Sequence, residues 1–284
     1  MHHGELQAQR FENKYLVNEA TALAARDFVR AYLELDEFSE GVADYSYPVH
    51  SLYLDSPDLK LCRTTLNGDK NRYKLRVRYY DDNPESPTFF EIKSRCNNTI
   101  SKQRGMVRRN AVATLLAGHL PEESHMFSRK PADLQTIRRF CRMVNELEAY
   151  PVAHVAYLRE AWVSAHDNSV RVTIDREVLC DLDPSTNLFV GMRHPVRVFG
   201  DLVVIELKFT NRFPDWFGDL VRIFNLVQCG AAKYAEGIIG LDLNRVMMES
   251  HKARQTQREP SVQDPSILLS KGRSPFRVPE NSAP

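Results

Sequence analysis

The 284-residue chain is long enough for one large domain or two, and its composition bounds what it can be. With 43% hydrophobic and 26% charged residues it resembles an ordinary globular protein, so it needs no metal or disulfide to hold a core. The formal net charge of +1 argues against a generally basic, nucleic-acid-binding surface. The local distribution is uneven, since residues 70 to 109 hold 11 Lys or Arg against 4 Asp or Glu.

The cysteines and the hydropathy of the chain indicate the cellular compartment in which the protein is expected. The five cysteines are far apart and include no C-x-x-C pair, which argues against a disulfide framework or a structural zinc site. No run approaches 18 apolar residues, and the first residues have no apolar segment, so neither a membrane span nor a signal peptide is predicted. These features predict a cytoplasmic protein with reduced cysteines that does not insert into a membrane.

Taken in chain order, the sequence alternates between short strand and helix patterns. The predicted strands are QRFENKYLV, PVHSLYLDS, NRYKLRVRYYD, PTFFEIKSR, TISKQRGMVRR, PVAHVAYLREAWVS, NSVRVTIDREV and DLVVIELKF. The predicted helices lie at about residues 18 to 34, within SPDLKLCRTTLNGDKN, over most of residues 110 to 149, and in PDWFGDLVRIFNLVQ and AAKYAEGIIGLDLN. Several strands are joined by hairpin-length turns, one of them at residues 167 to 168, which favours an α+β fold with antiparallel strands. Residues 251 to 284 are polar and Pro-rich, and are predicted to be a disordered tail.

The strand NRYKLRVRYYD has an unusual charge pattern. Arg72, Lys74, Arg76 and Arg78 occupy every second position, so one face of the strand presents four cations and no anion. The same alternation recurs in other predicted strands, at Arg10, Glu12 and Lys14; Glu91, Lys93 and Arg95; Lys102 and Arg104; Arg171, Thr173 and Asp175; and Glu206 and Lys208. A sheet with one solvated face explains any single strand. Across six segments, the excess of basic residues favours a closed barrel with its polar face inward and helices outside.

A cationic lumen is costly unless it stays wet or holds a polyanion. Arginine offers a planar fork to phosphate oxygens and lysine a point charge, so a mixed lining suits consecutive phosphates. The few acids, among them Asp175, are interpreted as metal ligands or as groups that orient the bases. For Glu206, a metal ligand and a simple lysine partner are equally good interpretations.

Several motifs occur in the order found in a known family. They are RFENKYLV, SLYLDSPDLKLCRTTLNGDKNRYKLRVRYY, FFEIKSR, SKQRG, VRVTIDRE, VVIELKF and GAAKYAEGI. Over about residues 8 to 245 the chain resembles the VTC domain, the polyphosphate polymerase domain of the vacuolar transporter chaperone complex, one of the triphosphate tunnel metalloenzymes. The resemblance implies a closed antiparallel eight-stranded β-barrel with helices packed outside, formed here by residues 1 to 250.

The resemblance also implies an activity, which is transfer of the terminal phosphate of ATP to a growing polyphosphate chain with Mn²⁺ or Mg²⁺. Motif matches and strand alternation together give the expected site. The expected catalytic residues are Arg76, Arg78, Lys93 and Arg171; the expected substrate-binding residues are Lys14, Lys74, Lys102, Arg104, Lys208 and Lys233; the expected metal ligands are Glu206, Glu12 and Glu91.

Two other functions use the same features. One is a hydrolase of inorganic triphosphate or polyphosphate, with water as the acceptor, and the other is a binding module without catalysis. Arg10 stands where a related branch of the tunnel enzymes has Glu, which favours the VTC branch, whereas Ala232 departs from the Ser that is common in family members. No G-x-x-x-x-G-K-[ST] motif is present, so a P-loop NTPase is not supported. The expected partners are ATP and inorganic polyphosphate or triphosphate, with no nucleic acid, and a membrane-protein partner is left open.

Overall fold

The computed structural model describes residues 10–97, 99–128, 130–165, 169–242 and 246. Ten strands belong to one sheet. They are β1 (Arg10–Val17), β2 (Glu34–Leu35), β3 (Ser46–Asp55), β4 (Asn71–Tyr79), β5 (Thr88–Cys96), β6 (Thr99–Val107), β7 (Tyr150–Val163), β8 (Val170–Leu182), β9 (Val196–Arg197) and β10 (Val203–Thr210). The helices whose bounds lie within the described residues are α1 (Glu19–Val29), α2 (Lys60–Leu66), α3 (Val112–Leu116), α4 (Pro131–Leu147), α5 (Asp215–Ile223) and α6 (Lys233–Gly240).

Eight of the strands close into an antiparallel barrel. The hydrogen-bonded order is β7-β3-β4-β5-β6-β1-β10-β8, and a further pairing of β7 with β8 joins the two ends. The short strands β2 and β9 extend the edges of β7 and β8. The predicted α+β fold with a closed eight-stranded barrel is therefore confirmed.

The helices cover the outside of the barrel in three apolar clusters. α3 and α4 pack on β3 to β6, where Phe90 and Phe140 are fully buried. α2 and α6 cover β7 and β8, and α1 and α5 cover β1 and β10. Because apolar side chains of the strands fill these outer clusters, the alternate side chains of the same strands point into the barrel. No helix in the described part of the chain is long and apolar enough to span a membrane.

Some boundaries differ from those predicted. α1 ends at Val29, earlier than the predicted residue 34, and residues 110 to 149 hold two helices separated around Gly118 and Pro121. β8 is longer than predicted because its last residues pair with the start of β7, as Leu182 does with Ala153. The predicted turn at residues 167 to 168 and the predicted tail at 251 to 284 lie outside the described residues.

Candidate active site inside the barrel

β4 shows how the charge alternation is resolved. Leu75 and Val77 are fully buried in the outer cluster beneath α4, whereas Lys74, Arg76 and Arg78 line a cavity inside the barrel. Polar side chains of the other strands face the same cavity, which has a volume of about 650 Å³. Twelve lysines and arginines line it against five carboxylates, so the cavity is strongly cationic although the whole chain is nearly neutral.

A second cavity of about 420 Å³ continues the first along the barrel. Along β4 the lining passes from Arg72 in the second cavity, through Lys74 in both, to Arg78 in the first, and Tyr80, directly after the strand, also lines the first cavity. On β5 it likewise passes from Arg95, through Lys93, to Phe89. The two cavities therefore occupy opposite ends of these strands and share a basic middle section.

Strand register sets the charges in rows across the barrel wall. Lys74 lies opposite Lys93, and Lys93 lies opposite Lys102, so three lysines on adjacent strands face one another. Lys93 pairs with Glu12 and Lys102 with Glu91, which lie outside the row, and Lys74 makes no ion pair among the described residues. Like charges directly opposite each other in a sheet destabilise it. A bound polyanion would relieve this repulsion, which makes the row a natural phosphate site.

The adjacent row is neutralised by one buried acid. Glu91 lies between Arg76 and Arg104 in register, and its Oε2 is 2.6 Å from Nη2 of Arg76. Its Oε1 is 2.9 Å from Nζ of Lys102 and 3.3 Å from Nε of Arg104. Burial favours the neutral acid, but Arg78, Arg76 and their neighbours hold the pKa of Glu91 well below its usual value. Glu91 is thus a permanent anion that orients the surrounding bases.

Glu206 on β10 is the centre of a second ionic cluster. Its Oε1 is 2.9 Å from Lys233 Nζ and 3.3 Å from Lys14 Nζ, and its Oε2 is 2.6 Å from Lys208 Nζ. Against the effect of burial, these three lysines keep the pKa of Glu206 well below its usual value. Lys14 also approaches Glu12 Oε1 at 3.2 Å, so one ammonium group bridges the two carboxylates.

Lys74 differs from these lysines because it makes no ion pair within the described part of the chain. Burial above all, together with Lys14, Lys93 and Arg76, lowers its pKa to about 8, although Tyr53 has the opposite effect. The hydroxyl of Tyr53 accepts a hydrogen bond of 3.0 Å from Arg76. Although burial favours the neutral phenol, Arg76, Lys74 and Arg78 lower the pKa of Tyr53 to about 8. The field of the cavity is therefore strong enough to stabilise added negative charge.

The structure brings together nearly all of the predicted site. Twelve of the thirteen predicted residues line the larger cavity, and the exception, Glu91, lies behind its basic partners. The roles assigned to these residues stay predictions. Arg72 and Arg95, which share the alternating pattern, line only the second cavity.

Sequence reasoning missed Arg159 on β7. Its guanidinium makes two hydrogen bonds of 2.7 Å to Asp175 and approaches Glu206 Oε2 at 3.4 Å. It also lies over the ring of Tyr157, whose hydroxyl accepts a hydrogen bond from Arg78. The spacing of two residues between Tyr157 and Arg159 is the sequence signal that both side chains face the inside of the barrel, since the other residues of this strand are mainly apolar.

Carboxylates are the available donors for a divalent ion. Among the described residues, no three His, Cys, Asp or Glu side chains come together as a ready metal site. Mg²⁺ and Mn²⁺ bind oxygen ligands, and Mg²⁺ commonly takes only one or two carboxylates when substrate phosphates and water supply the rest. Glu206 and Glu12, on either side of Lys14, fit this requirement in kind. To expose their oxygens, Lys14 or Lys208 would have to turn toward bound phosphate.

Comparison with known proteins identifies the family. The model of the VTC domain matches residues 9–241. The chain belongs to the VTC domain family. The match spans every barrel strand from β1 to β10 and ends after α6, so the cavities lie wholly within the VTC domain. The resemblance inferred from the ordered motifs is confirmed. No curated protein matches the chain.

Two solved structures are similar to this VTC domain. One is a candidate adenylate cyclase from Bacillus halodurans, with 13% identity and a TM-score of 0.41, covering 78% of this chain and 92% of the other. The second is the triphosphatase of the Mimivirus capping enzyme, with 9% identity and a TM-score of 0.33, covering 77% of this chain and 90% of the other.

Proposed function

We propose that the protein is a polyphosphate polymerase that transfers the terminal phosphate of ATP to a polyphosphate chain inside the barrel. The observation that supports this most directly is the continuous basic lining of the two cavities, which share Lys14, Lys74 and Lys93. A hydrolase of triphosphate needs one phosphate site and a water molecule. A lining that continues past that site to Arg72 and Arg95 suits an acceptor that is itself a chain of phosphates.

The roles follow from the chemistry of phosphoryl transfer, which depends on in-line placement and on neutralising the transferred group. Arg76 and Arg78 are suited to neutralise the transferred phosphoryl group, because both line the cavity and stay charged at any physiological pH. The row of Lys74, Lys93 and Lys102 would hold the neighbouring phosphates. Lys233 and Lys14 would exchange their contacts with Glu206 for phosphate oxygens. Bound Mn²⁺ or Mg²⁺, held by Glu206 with Glu12, would add Lewis-acid polarisation of phosphate oxygens.

Arg78 is the better arginine to test. Arg76 makes the closest contact with buried Glu91, so its loss would remove two close contacts from a buried anion and perturb the fold. Arg78 is 3.9 Å from Glu91, and within the described part of the chain its hydrogen bonds go to the hydroxyls of Ser51 and Tyr157. Arg78→Ala therefore removes a phosphate contact at lower structural cost.

The experiment is incubation of the purified protein with ATP and Mn²⁺, followed by a gel stained for polyphosphate and a parallel assay of free phosphate. We expect long chains and ADP from the wild type, at least about a hundredfold less from Arg78→Ala, and wild-type amounts from Arg212→Ala. Arg212 is the matched control because its side chain is 82% exposed, outside the barrel. Release of free phosphate without chains would show that the protein is a hydrolase and not a polymerase. Formation of neither product would support a binding module without catalysis.

We also propose a cytoplasmic location, where ATP is available. All five cysteines are free, which suits a reducing compartment. Fractionation of cells that produce the protein, followed by immunoblotting, tests this, and recovery from an oxidising compartment would contradict it.

A further inference from the structure

The two ends of the barrel differ in chemistry. At the end of the larger cavity a group of apolar residues forms what we call the Phe38 mouth, made of Phe38, Tyr47, Pro48, Tyr80, Pro87 and Phe89. The opposite end presents Arg72 and Arg95 with the polar side chains of Thr65 and Ser94. None of the apolar residues of the Phe38 mouth has a role in the phosphate binding proposed above.

The rings of the Phe38 mouth form a continuous series. Phe38 and Tyr47 have ring centroids 6.1 Å apart, Tyr47 and Tyr80 are 6.4 Å apart, and Tyr80 and Phe89 are 5.9 Å apart. The guanidinium of Arg104 already covers one face of Phe89, at 3.5 Å from the centroid. Phe38 has no such cover and is 63% exposed. An exposed aromatic ring at the entrance to a charged cavity is available for a planar ligand.

Phe38 is also held in place. Its backbone N–H donates a 3.1 Å hydrogen bond to Oδ1 of Asp36, and Oδ2 of the same carboxylate is 2.9 Å from Nη2 of Arg171. The N–H of Asp36 in turn bonds to the carbonyl of Ala161 on β7, at 2.9 Å. A single carboxylate therefore connects the backbone of Phe38 to an arginine that lines the cavity. This positions the backbone that carries the ring relative to the phosphate site.

The charges at this end do not suit phosphate. Asp36, Glu37 and Asp81 line the cavity near the aromatic series, whereas the opposite end has Glu12 as its one lining carboxylate among the described residues. Asp36 pairs with Arg171 and Asp81 with Arg109, so Glu37 is the acid of this end that has no ion pair in the described structure. Glu37 would repel a polyphosphate chain, whereas ribose hydroxyls and exocyclic amino groups can donate hydrogen bonds to carboxylate oxygens. The ligand for the Phe38 mouth is thus aromatic and uncharged.

We propose that the Phe38 mouth is a nucleobase platform, on which the base of a nucleoside triphosphate stacks while its phosphates extend into the barrel. The inference rests on the proposed function, because it assumes a nucleotide donor. Stacked carbon atoms lie roughly 3.5–4.0 Å apart, so the 6.1 Å between Phe38 and Tyr47 leaves no room for a base between the rings. The base lies on the open face of Phe38 with Tyr47 against its edge. Stacking accepts any base, so the donor site accepts purines of either kind.

Binding measurements on the full chain test the platform. The probes are a β,γ-imido analogue of ATP, the corresponding GTP analogue and inorganic triphosphate, each titrated calorimetrically with Mg²⁺. Phe38→Ala should weaken both nucleotide analogues by about tenfold and inorganic triphosphate by less than about twofold. Phe38→Trp, which keeps a stacking surface, should retain nucleotide affinity. The matched control is Phe189→Ala, since Phe189 is 64% exposed and lines neither cavity.

The outcomes separate this inference from the proposed function. If the wild-type protein binds triphosphate and the Phe38→Ala variant binds the nucleotide analogues normally, the platform is contradicted and the proposed function is not. Equal weakening of all three probes would also overturn it, since Phe38 would then act through the fold. Wild-type protein that binds none of the probes would overturn the donor site, the proposed function and the platform together.

Discussion

Lys74 carries a buried charge that no ion pair in the described structure neutralises, unlike the other lysines that line the barrel. It faces Lys93 across the strand pair and has no carboxylate partner in the described structure, and its pKa of about 8 shows that burial and like charges disfavour its ammonium form. A side chain kept at the expense of stability is expected where function needs the charge. Lys74 is therefore held against a repulsion that substrate phosphate can relieve.

Replacing Lys74 by Met should stabilise the protein and weaken phosphate binding. Unfolded lysine has a pKa near 10.4, so between pH 8 and 10 the unfolded state holds more protons and wild-type stability rises with pH. At pH 7 the penalty is fully present, and Lys74→Met should raise the free energy of unfolding by about 1 to 3 kcal/mol, a gain that should shrink toward pH 10. Urea denaturation of the wild type and the variant at pH 7 and pH 10 measures this gain in the free energy of unfolding. Lys60→Met, on the exposed surface of α2, is the control, and a gain in it as large as that in Lys74→Met would contradict the argument.

The most predictable part of the site was the set of charged residues that alternate with apolar residues along a strand. The period of two places Lys74, Arg76 and Arg78 on one face whatever their neighbours are, so the sequence alone indicates a shared environment. The partners were not predictable in the same way, because the pairing of Glu91 with Arg76 and Arg104 depends on register between strands. Arg159 escaped notice because β7 is buried along most of its length and shows no charge alternation.

At the scale of elements, the contact between α4 and β6 is closest at Gly105. A Cβ added there would lie 2.7 Å from Cγ1 of Ile137 and 2.8 Å from the carbonyl oxygen of Asp133. The helix therefore approaches the strand closely only because residue 105 has no side chain. The adjacent Arg104 lines the cavity, so the seating of α4 also fixes part of the site.

Gly105→Ala should destabilise the protein by about 1 to 3 kcal/mol, because α4 must move away from the barrel or Ile137 must leave its rotamer. Chemical denaturation followed by circular dichroism measures the change. Gly191→Ala is the matched control, since a Cβ at Gly191 would meet no atom within 4 Å. Equal denaturation midpoints for the two variants would show that the helix adapts without cost.

The elements themselves were predicted better than their ends. Most barrel strands were identified because their apolar positions must face the outer clusters, which imposes an alternation, and β7 was identified as a long run of mainly apolar residues. The short strands β2 and β9 were missed because two residues carry no periodic signal. The end of α1 at Val29 and the extension of β8 to Leu182 follow from contacts with distant segments rather than from local sequence.

At the scale of the whole molecule, charge is sorted between inside and outside. The chain has a formal net charge of +1, yet twelve basic residues and five carboxylates line the larger cavity. The rest of the molecule therefore carries the balancing acids. This sorting allows one protein to be nearly neutral and still present a strong local field to a polyanion.

Inorganic triphosphate should therefore raise the thermal stability of the protein. A ligand at a hundred times its Kd contributes about 2.7 kcal/mol, which for a domain of this size corresponds to a rise in Tm of roughly 5 to 10 °C. Differential scanning calorimetry with triphosphate, against sodium chloride of equal ionic strength, measures the shift. The shift should be smaller in Arg78→Ala, unchanged in Arg212→Ala, and reduced by added salt because screening weakens the attraction. A shift of the same size in Arg78→Ala, or no shift in the wild type, would show that the phosphate chain does not bind where the cationic lining lies.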